Sequence, residues 1–243
     1  MRFGIIGAGP IALSISKKLV NNNHDVKIAD ARDIERLKGK PINAKPVTVE
    51  DVISNIDVLI ISIPLHALPT IRSVVEKAAD EVIVVDTSNY YPQMGVKIDE
   101  IENGMVESVW VTKQLGRSII KAFNNLLAYT LEHEGTPEGS SHRIAVAIAG
   151  DDIQQKQTMM SIVSELGFDT VDSGNLNDSW RQQPGTPAYC TELTKEGLNE
   201  ALQKANKEQA PFLRDKAMEK LITASVGYSH KEIVTLNREM YNS

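Results

Sequence analysis

At 243 residues, with 42% hydrophobic and 24% charged side chains, the chain has the makeup of a globular protein that buries one large core, or a core with an appendage. A net charge of −6 with no basic run argues against a nucleic-acid surface, and no apolar stretch approaches the ~18 residues that a membrane helix needs. One cysteine, Cys190, excludes internal disulfides and suits a reducing compartment. The N-terminus reads as a strand rather than a signal peptide, so a cytoplasmic location is expected.

Residues 2–6 form an apolar run that reads as a buried strand, and Gly7-Ala8-Gly9-Pro10-Ile11-Ala12 follows at once. An amphipathic helix comes next, with Ile11, Leu13, Ile15 and Leu19 on its apolar side, then a second strand over residues 25–29 ending in Asp30-Ala31-Arg32. Strand, tight turn and helix are the setting the G-x-G-x-x-A dinucleotide fingerprint requires. Gly7 permits the turn, Gly9 lets backbone approach a pyrophosphate, and Ala12 lets the helix lie close to the sheet. Pro10 suits a first helical turn, where its missing N–H is no loss, and Ile11 follows it at the phosphate-facing helix start. Asp30 is an acid at the position that binds an adenine ribose diol and favours NAD, whereas Arg32 is the usual partner of a 2′-phosphate and favours NADP. The chain offers both.

Further along, residues 57–63 are a continuous apolar run, as buried parallel strands are. A helix is expected after Pro64, with Leu68, Ile71 and Val75 on one face, and residues 81–86 give the next strand. A helical stretch near 108–115 precedes a strand at 118–123. Residues 143–149 are strand again, Asp151 or Asp152 caps a helix from Ile153, and residues 167–172 form the last strand. The alternation predicts an α/β fold, a doubly wound Rossmann-type and mainly parallel sheet, with residues 1–174 as the dinucleotide-binding domain. Beyond Gly174 apolar residues recur at helical spacing (Leu198, Leu202; Leu213, Ala217, Leu221; Ile233, Leu236, Met240). Residues 175–243 therefore read as a helical segment that completes the substrate cleft or makes a dimer contact.

Ligands of such sheets lie at the carboxyl ends of the strands. Ser62-Ile63-Pro64 stands there as either a plain strand-ending turn or a contact for the second ribose and nicotinamide. Asn89 follows the next strand in the same way, and His66 sits at the mouth of that cleft, as a solvated residue or an acid. Lys121 is costly within a buried strand unless it reaches water or a partner. It is either a snorkelling edge-strand lysine or a group that binds an anionic substrate or polarises a carbonyl, and Asn124 leaves the same strand end. Residues 178–187 set Trp180, Arg181, Gln182 and Gln183 before a Pro-Gly-Thr-Pro turn, so Trp180 and Arg181 are expected to line an acceptor pocket. No metal-ligand spacing is visible among the scattered histidines. Cys190 reads as a packed residue rather than a nucleophile.

Four stretches give the chain a resemblance: residues 3–12, Asp86-Thr87-Ser88-Asn89-Tyr90-Tyr91-Pro92, Lys121-Ala122-Phe123-Asn124-Asn125, and residues 179–187. Together they resemble the deazaflavin (coenzyme F420)-dependent NADP reductase family, in its bacterial NADPH-dependent reductase-like or NAD(P)-binding branch. The resemblance implies dinucleotide contacts at Gly7, Gly9, Pro10, Ile11, Arg32 and the Ser62-Ile63-Pro64 strand end, and hydride transfer to a planar acceptor beside the nicotinamide. Where the branch carries Asn-Ser-Arg, this chain has Asp30-Ala31-Arg32, which adds a carboxylate and removes a phosphate-binding hydroxyl. NADP is implied by the family, while Asp30 and Ala31 point to NAD or dual use; a deazaflavin or flavin is the candidate acceptor.

The expected function is an NAD(P)H-dependent oxidoreductase that transfers hydride to a small conjugated or flavin-like acceptor, with a small-molecule substrate and a homo-oligomeric state. A dinucleotide-binding sensor or partner protein without turnover is the alternative from another class. An imine or 3-hydroxyacid reductase is a third reading, and it would make Lys121 essential as an acid.

Overall fold

The alternating runs of Val, Ile and Leu build a sheet covered on both faces, and this burial on two sides is why the strands read as unbroken apolar segments. The computed structural model describes residues 1–224 and 227–241. Strand β1 (Arg2–Ile6) leads through the glycine turn into α1 (Pro10–Asn21) and β2 (Asp25–Ala29). A short β3 (Lys45–Pro46) and β4 (Val58–Ile61) follow. A 3₁₀ segment (Leu65–Ile71) then runs into the single turn α2 (Arg72–Val75) and on to β5 (Ile83–Asp86). The helix expected after Pro64 is thus split, since Pro69 inside it has no N–H to give an α-helical bond.

After α3 (Asp99–Glu102) and α4 (Glu107–Leu115) comes β6 (Ile120–Lys121), much shorter than the expected 118–123. Its pairing stops where Phe123 takes a left-handed conformation (φ +63°). Helix α5 (Ala128–His133), β7 (Ala145–Gly150), α6 (Ile153–Glu165) and β8 (Asp169–Asp172) complete the sheet. Asp152 caps α6 by accepting from the Gln155 N–H at 3.0 Å. The last strand starts at Asp169 rather than 167, because Gly167 (φ +103°) turns the chain out of α6.

The strand order is β3-β2-β1-β4-β5-β6-β7-β8, parallel throughout except that β7 runs antiparallel to β6. Alternate residues of one strand feed the two cores: Ile5, Ile60 and Val85 meet α1, α5 and α6, whereas Ile6, Leu59, Ile61 and Val84 meet Trp110 and Val111 of α4. Beyond β8 a 3₁₀ segment (Leu176–Gln182) packs on α4, and α7 (Lys195–Lys204) covers β7 and β8 through Leu198, Ala201 and Leu202. Helices α8 (Ala210–Thr223) and α9 (His230–Tyr241) pack on Tyr189, Tyr91 and Leu127 above the strand ends. Among the described residues no helix is long and apolar enough to cross a membrane.

Candidate active site

The glycine turn is held by backbone at both ends. The Gly7 N–H donates to the Ala29 carbonyl at 2.8 Å, and the Ser62 N–H donates to the Ile6 carbonyl at 2.8 Å. Gly7 lies at φ +131°, and a Cβ there would come within 2.1 Å of the Ser62 carbonyl oxygen, so no other residue fits. Gly9, the N-cap of α1, has open space where a Cβ would be and offers no side chain to the helix's first N–H groups. Gly9 and Pro10 are exposed, Ile11 is half-buried and Ala12 is buried against the sheet. An anion approaching this turn meets unoccupied N–H donors and the positive end of the helix dipole. The residues present therefore fit a dinucleotide's pyrophosphate.

Asp30 and Arg32 stand just past the end of β2, and they are not free to act separately. The Asp30 carboxylate accepts the Arg32 backbone N–H at 3.0 Å and lies 3.5 Å from Nε of Arg36, while the Arg32 side chain is exposed. Lys40 reaches back from the following loop and donates to the Ala8 carbonyl at 2.7 Å, which sets an ammonium against the glycine turn. Neither Arg36 nor Lys40 carried any motif in the sequence; only the return of this loop across the turn brings them in.

The carboxyl ends of β4 and β5 open into a cleft of about 190 Å³ lined by Pro64, His66, Asn89, Tyr90 and Tyr91. Ser62 and Ile63 are half-buried beside it. The Asn89 amide donates to the Asn124 carbonyl (3.0 Å) and to the Tyr189 hydroxyl (3.3 Å), and its oxygen accepts from the Asn124 amide (3.1 Å). Asn124 is held at both ends: it also donates to the Gln182 carbonyl at 2.9 Å, and its oxygen accepts from the Gln182 amide at 2.8 Å. Gln182 is held in turn by the Ala147 carbonyl and the Ser173 hydroxyl. Both amide N–H groups of Asn89 and of Asn124 are used, and each side-chain oxygen keeps one acceptor lone pair, but Asn124 is 2% exposed and Asn89 is half-buried beside the cleft. Asn124 therefore orients Asn89 rather than lining a pocket.

Lys121 is neither a snorkelling edge residue nor an open-cleft group. Its strand is interior, the β5–β6 register sets it opposite Asp86, and the two side chains are 1% and 0% exposed. Its ammonium donates to the Asp86 carboxylate at 2.7 Å and to the Ser88 carbonyl. A buried ammonium needs such a partner, and this one braces the strand ends.

Trp180 and Arg181, adjacent in sequence, border different hollows, although the Arg181 guanidinium lies 5.4 Å from the Trp180 ring centre. Trp180 lines a cavity of about 430 Å³ between the start of α4 and α8, with Met105, Glu107, Gln183 and Arg214. Arg181 pairs with Asp178 (3.4 Å) and borders a separate surface depression with Asp172 and Asn199. Tyr90 separates the Trp180 cavity from the Asn89 cleft: it lines the cleft, its N–H donates to Glu107 at 3.1 Å, and the Arg214 guanidinium stacks 5.1 Å from its ring centre. The Gln183 Oε1 is buried with no partner among the described residues. Burial pushes the Glu107 carboxyl up to about 7, although Lys121, the Tyr90 N–H and Arg214 all favour its charged form. Cys190 is buried, and its thiol is pushed up to about 12, which makes it a poor nucleophile.

The family model described as NADP oxidoreductase, coenzyme F420-dependent, matches residues 2–90, from β1 through the Asn89 strand end. Protein YjhV of Escherichia coli K12 is 36% identical over 115 residues, which is 45% of this chain and 80% of that protein. Metalloreductase STEAP3 of Rattus norvegicus is 24% identical over 176 residues, 72% of this chain but 34% of its own length, so the chain spans about a third of that relative. Among solved structures, the hypothetical protein SMa0349 of Sinorhizobium meliloti superposes with a TM-score of 0.67 at 25% identity, over 80% of this chain and 96% of that one. The glycine turn, the parallel sheet and these matches agree: the chain belongs to the coenzyme F420-dependent NADP oxidoreductase family of NAD(P)-dependent oxidoreductases.

Proposed function

We propose that the protein transfers hydride from a reduced nicotinamide dinucleotide to a small, flat, conjugated acceptor of flavin-like shape. The observation that carries this reading is the continuity of the carboxyl edge. The open glycine turn, the β4 and β5 ends and the Trp180 cavity follow one another along it, and Tyr90 lines the β5-end cleft while bonding Glu107 and stacking with Arg214 of the Trp180 cavity. Bound there, the nicotinamide supplies the hydride chemistry. The chain supplies binding and positioning. Gly7, Gly9, Pro10 and Ile11 receive the pyrophosphate, Asp30, Arg32 and Arg36 take the adenosine end, and Ser62, Ile63 and Pro64 support the nicotinamide ribose. Asn89, locked by Asn124 and Tyr189, keeps one oxygen lone pair for the carboxamide. Trp180 offers an indole face to a flat ring, and the unpartnered Gln183 oxygen would accept from a ring N–H.

The deciding experiment measures NADPH and NADH oxidation with flavins, deazaflavin, quinones, imines and 2-oxo acids, alongside dinucleotide affinity. Turnover with planar acceptors is expected. Tight binding without turnover across the whole panel would instead make the chain a dinucleotide sensor.

A further inference from the structure

Hydride addition to a neutral conjugated acceptor leaves an electron pair on a ring nitrogen or oxygen, and that atom must receive a proton. The other acidic side chains near the strand ends are poorly placed to give one. The Lys121 ammonium is committed to Asp86 and Ser88 and shut away from either hollow. The Tyr91 and Tyr189 hydroxyls bond to each other at 2.9 Å, and burial raises both well above the ordinary tyrosine range. His66 lies on the cleft side of Tyr90.

Glu107 differs in each respect. It opens α4, is 3% exposed, and its carboxyl forms part of the wall of the Trp180 cavity. One oxygen is fixed by the Tyr90 N–H at 3.1 Å, which sets the direction of the group. We propose that Glu107 is the proton donor of the reaction, acting on an acceptor held in the Trp180 cavity. This rests on the oxidoreductase reading above. The hydride adds to one electrophilic end of the acceptor's conjugated system and the nicotinamide is oxidised. The displaced electron pair moves to the acceptor heteroatom and takes the Glu107 proton, and the resulting carboxylate recovers a proton from water at the cavity mouth. The groups facing Glu107 are consistent with that cycle: Lys121, Arg214 and the Tyr90 N–H stabilise its charged form, Asp86 and burial oppose it, and Glu102, Glu208 and Lys207 stand around the cavity. Burial prevails, so the carboxyl holds a proton near neutrality.

The test uses the isosteric variant Glu107→Gln, whose amide oxygen can still accept the Tyr90 N–H. Two kinds of acceptor are compared with saturating NADPH or NADH. Menadione and 1,4-benzoquinone are neutral and need hydride plus proton, whereas N-methylacridinium is a cation that becomes neutral on receiving hydride alone. Glu107→Gln is expected to lower kcat for the neutral acceptors about 100-fold and to leave N-methylacridinium reduction within about twofold. Wild-type rates with neutral acceptors should fall as pH rises through about 7, and the N-methylacridinium rate should not. Independently of activity, pH-difference infrared spectra of the protein alone should show a protonated-carboxyl band that vanishes through the same range and is absent from the variant. Equal loss with both kinds of acceptor, no loss with either, or no such band overturns the assignment. A wild type that oxidises dinucleotide with none of these probes overturns the oxidoreductase reading, and the proton donor with it.

Discussion

Replacing Asp30 by Asn tests how the adenosine end sets cofactor preference. The Asp30 carboxylate lies 3.5 Å from the Arg36 Nε, with that side chain 54% exposed and the Asp30 side chain 15% exposed. Two unit charges at that distance attract by about 1 kcal/mol in water and about 5 kcal/mol at an effective dielectric of 20. An exposed arginine belongs at the low end, where measured pairs contribute at most about 1 kcal/mol. An asparagine oxygen can still accept the Arg32 N–H, so the turn survives while the charge is lost. Arg36 is then released toward a 2′-phosphate, a carboxylate no longer repels that phosphate, and NAD loses a charged acceptor for its ribose diol. NADP affinity relative to NAD should rise about fivefold, equivalent to about 1 kcal/mol. Titrations of both reduced dinucleotides, read by nicotinamide fluorescence at low and high salt, measure the ratio; the gain should shrink at high salt and in an Arg36→Met background. An unchanged ratio at both salts would show that the Asp30 charge takes no part in cofactor choice.

Five further substitutions test other parts of the site. Lys40→Met removes the ammonium held on the Ala8 carbonyl, so NAD and NADP affinities should fall together by about threefold in the same titrations; a change in their ratio would place Lys40 on the ribose phosphate instead. Trp180→Ala should raise the acceptor KM about tenfold with dinucleotide affinity intact, whereas Arg181→Ala, which only removes a stacking partner of the indole and borders another depression, should raise it by no more than about twofold in steady-state assays. Lys121→Met strands Asp86 in the core and should cost about 3–5 kcal/mol in urea unfolding; a cost below 1 kcal/mol, or selective loss of turnover in a stable variant, would restore Lys121 to the chemistry. The folded Glu107 carboxyl titrates near 7 against an ordinary 4.5, so the stability it contributes is complete below about 4.5 and lost as pH rises through 7. Glu107→Gln should therefore gain on the wild type between pH 5 and pH 8, by up to about 3 kcal/mol, in parallel denaturant melts.

The glycine turn was readable because its requirements are local. A positive φ at Gly7, a missing side chain at Gly9 and the acid about 20 residues on all lie within one βαβ unit. The sheet was readable for a similar reason, since strands buried on both faces leave unbroken apolar runs. The environment of Lys121 is not legible in the sequence because its partner is set by register. Asp86 is 35 residues away, and only pairing of β5 with β6 puts the two opposite each other. The reversal at β7 left no mark either, because a strand buried on both faces has the same pattern whichever way it runs.

Trp180 and Arg181 show why adjacency in sequence is a poor guide to a shared pocket. They lie in a 3₁₀ segment, and although the Arg181 guanidinium lies 5.4 Å from the Trp180 ring centre, Trp180 lines the cavity against α4 and α8 while Arg181 borders the depression against α7. The same turn points Gln182 inward to hold Asn124, and through it Asn89. One short segment thus supplies the wall of the Trp180 cavity on one side and the brace of Asn89 on another. A mutation that shifts this segment should disturb both sites together, whereas truncating Trp180 alone should touch only the acceptor. That contrast separates a binding residue from the scaffold that carries it.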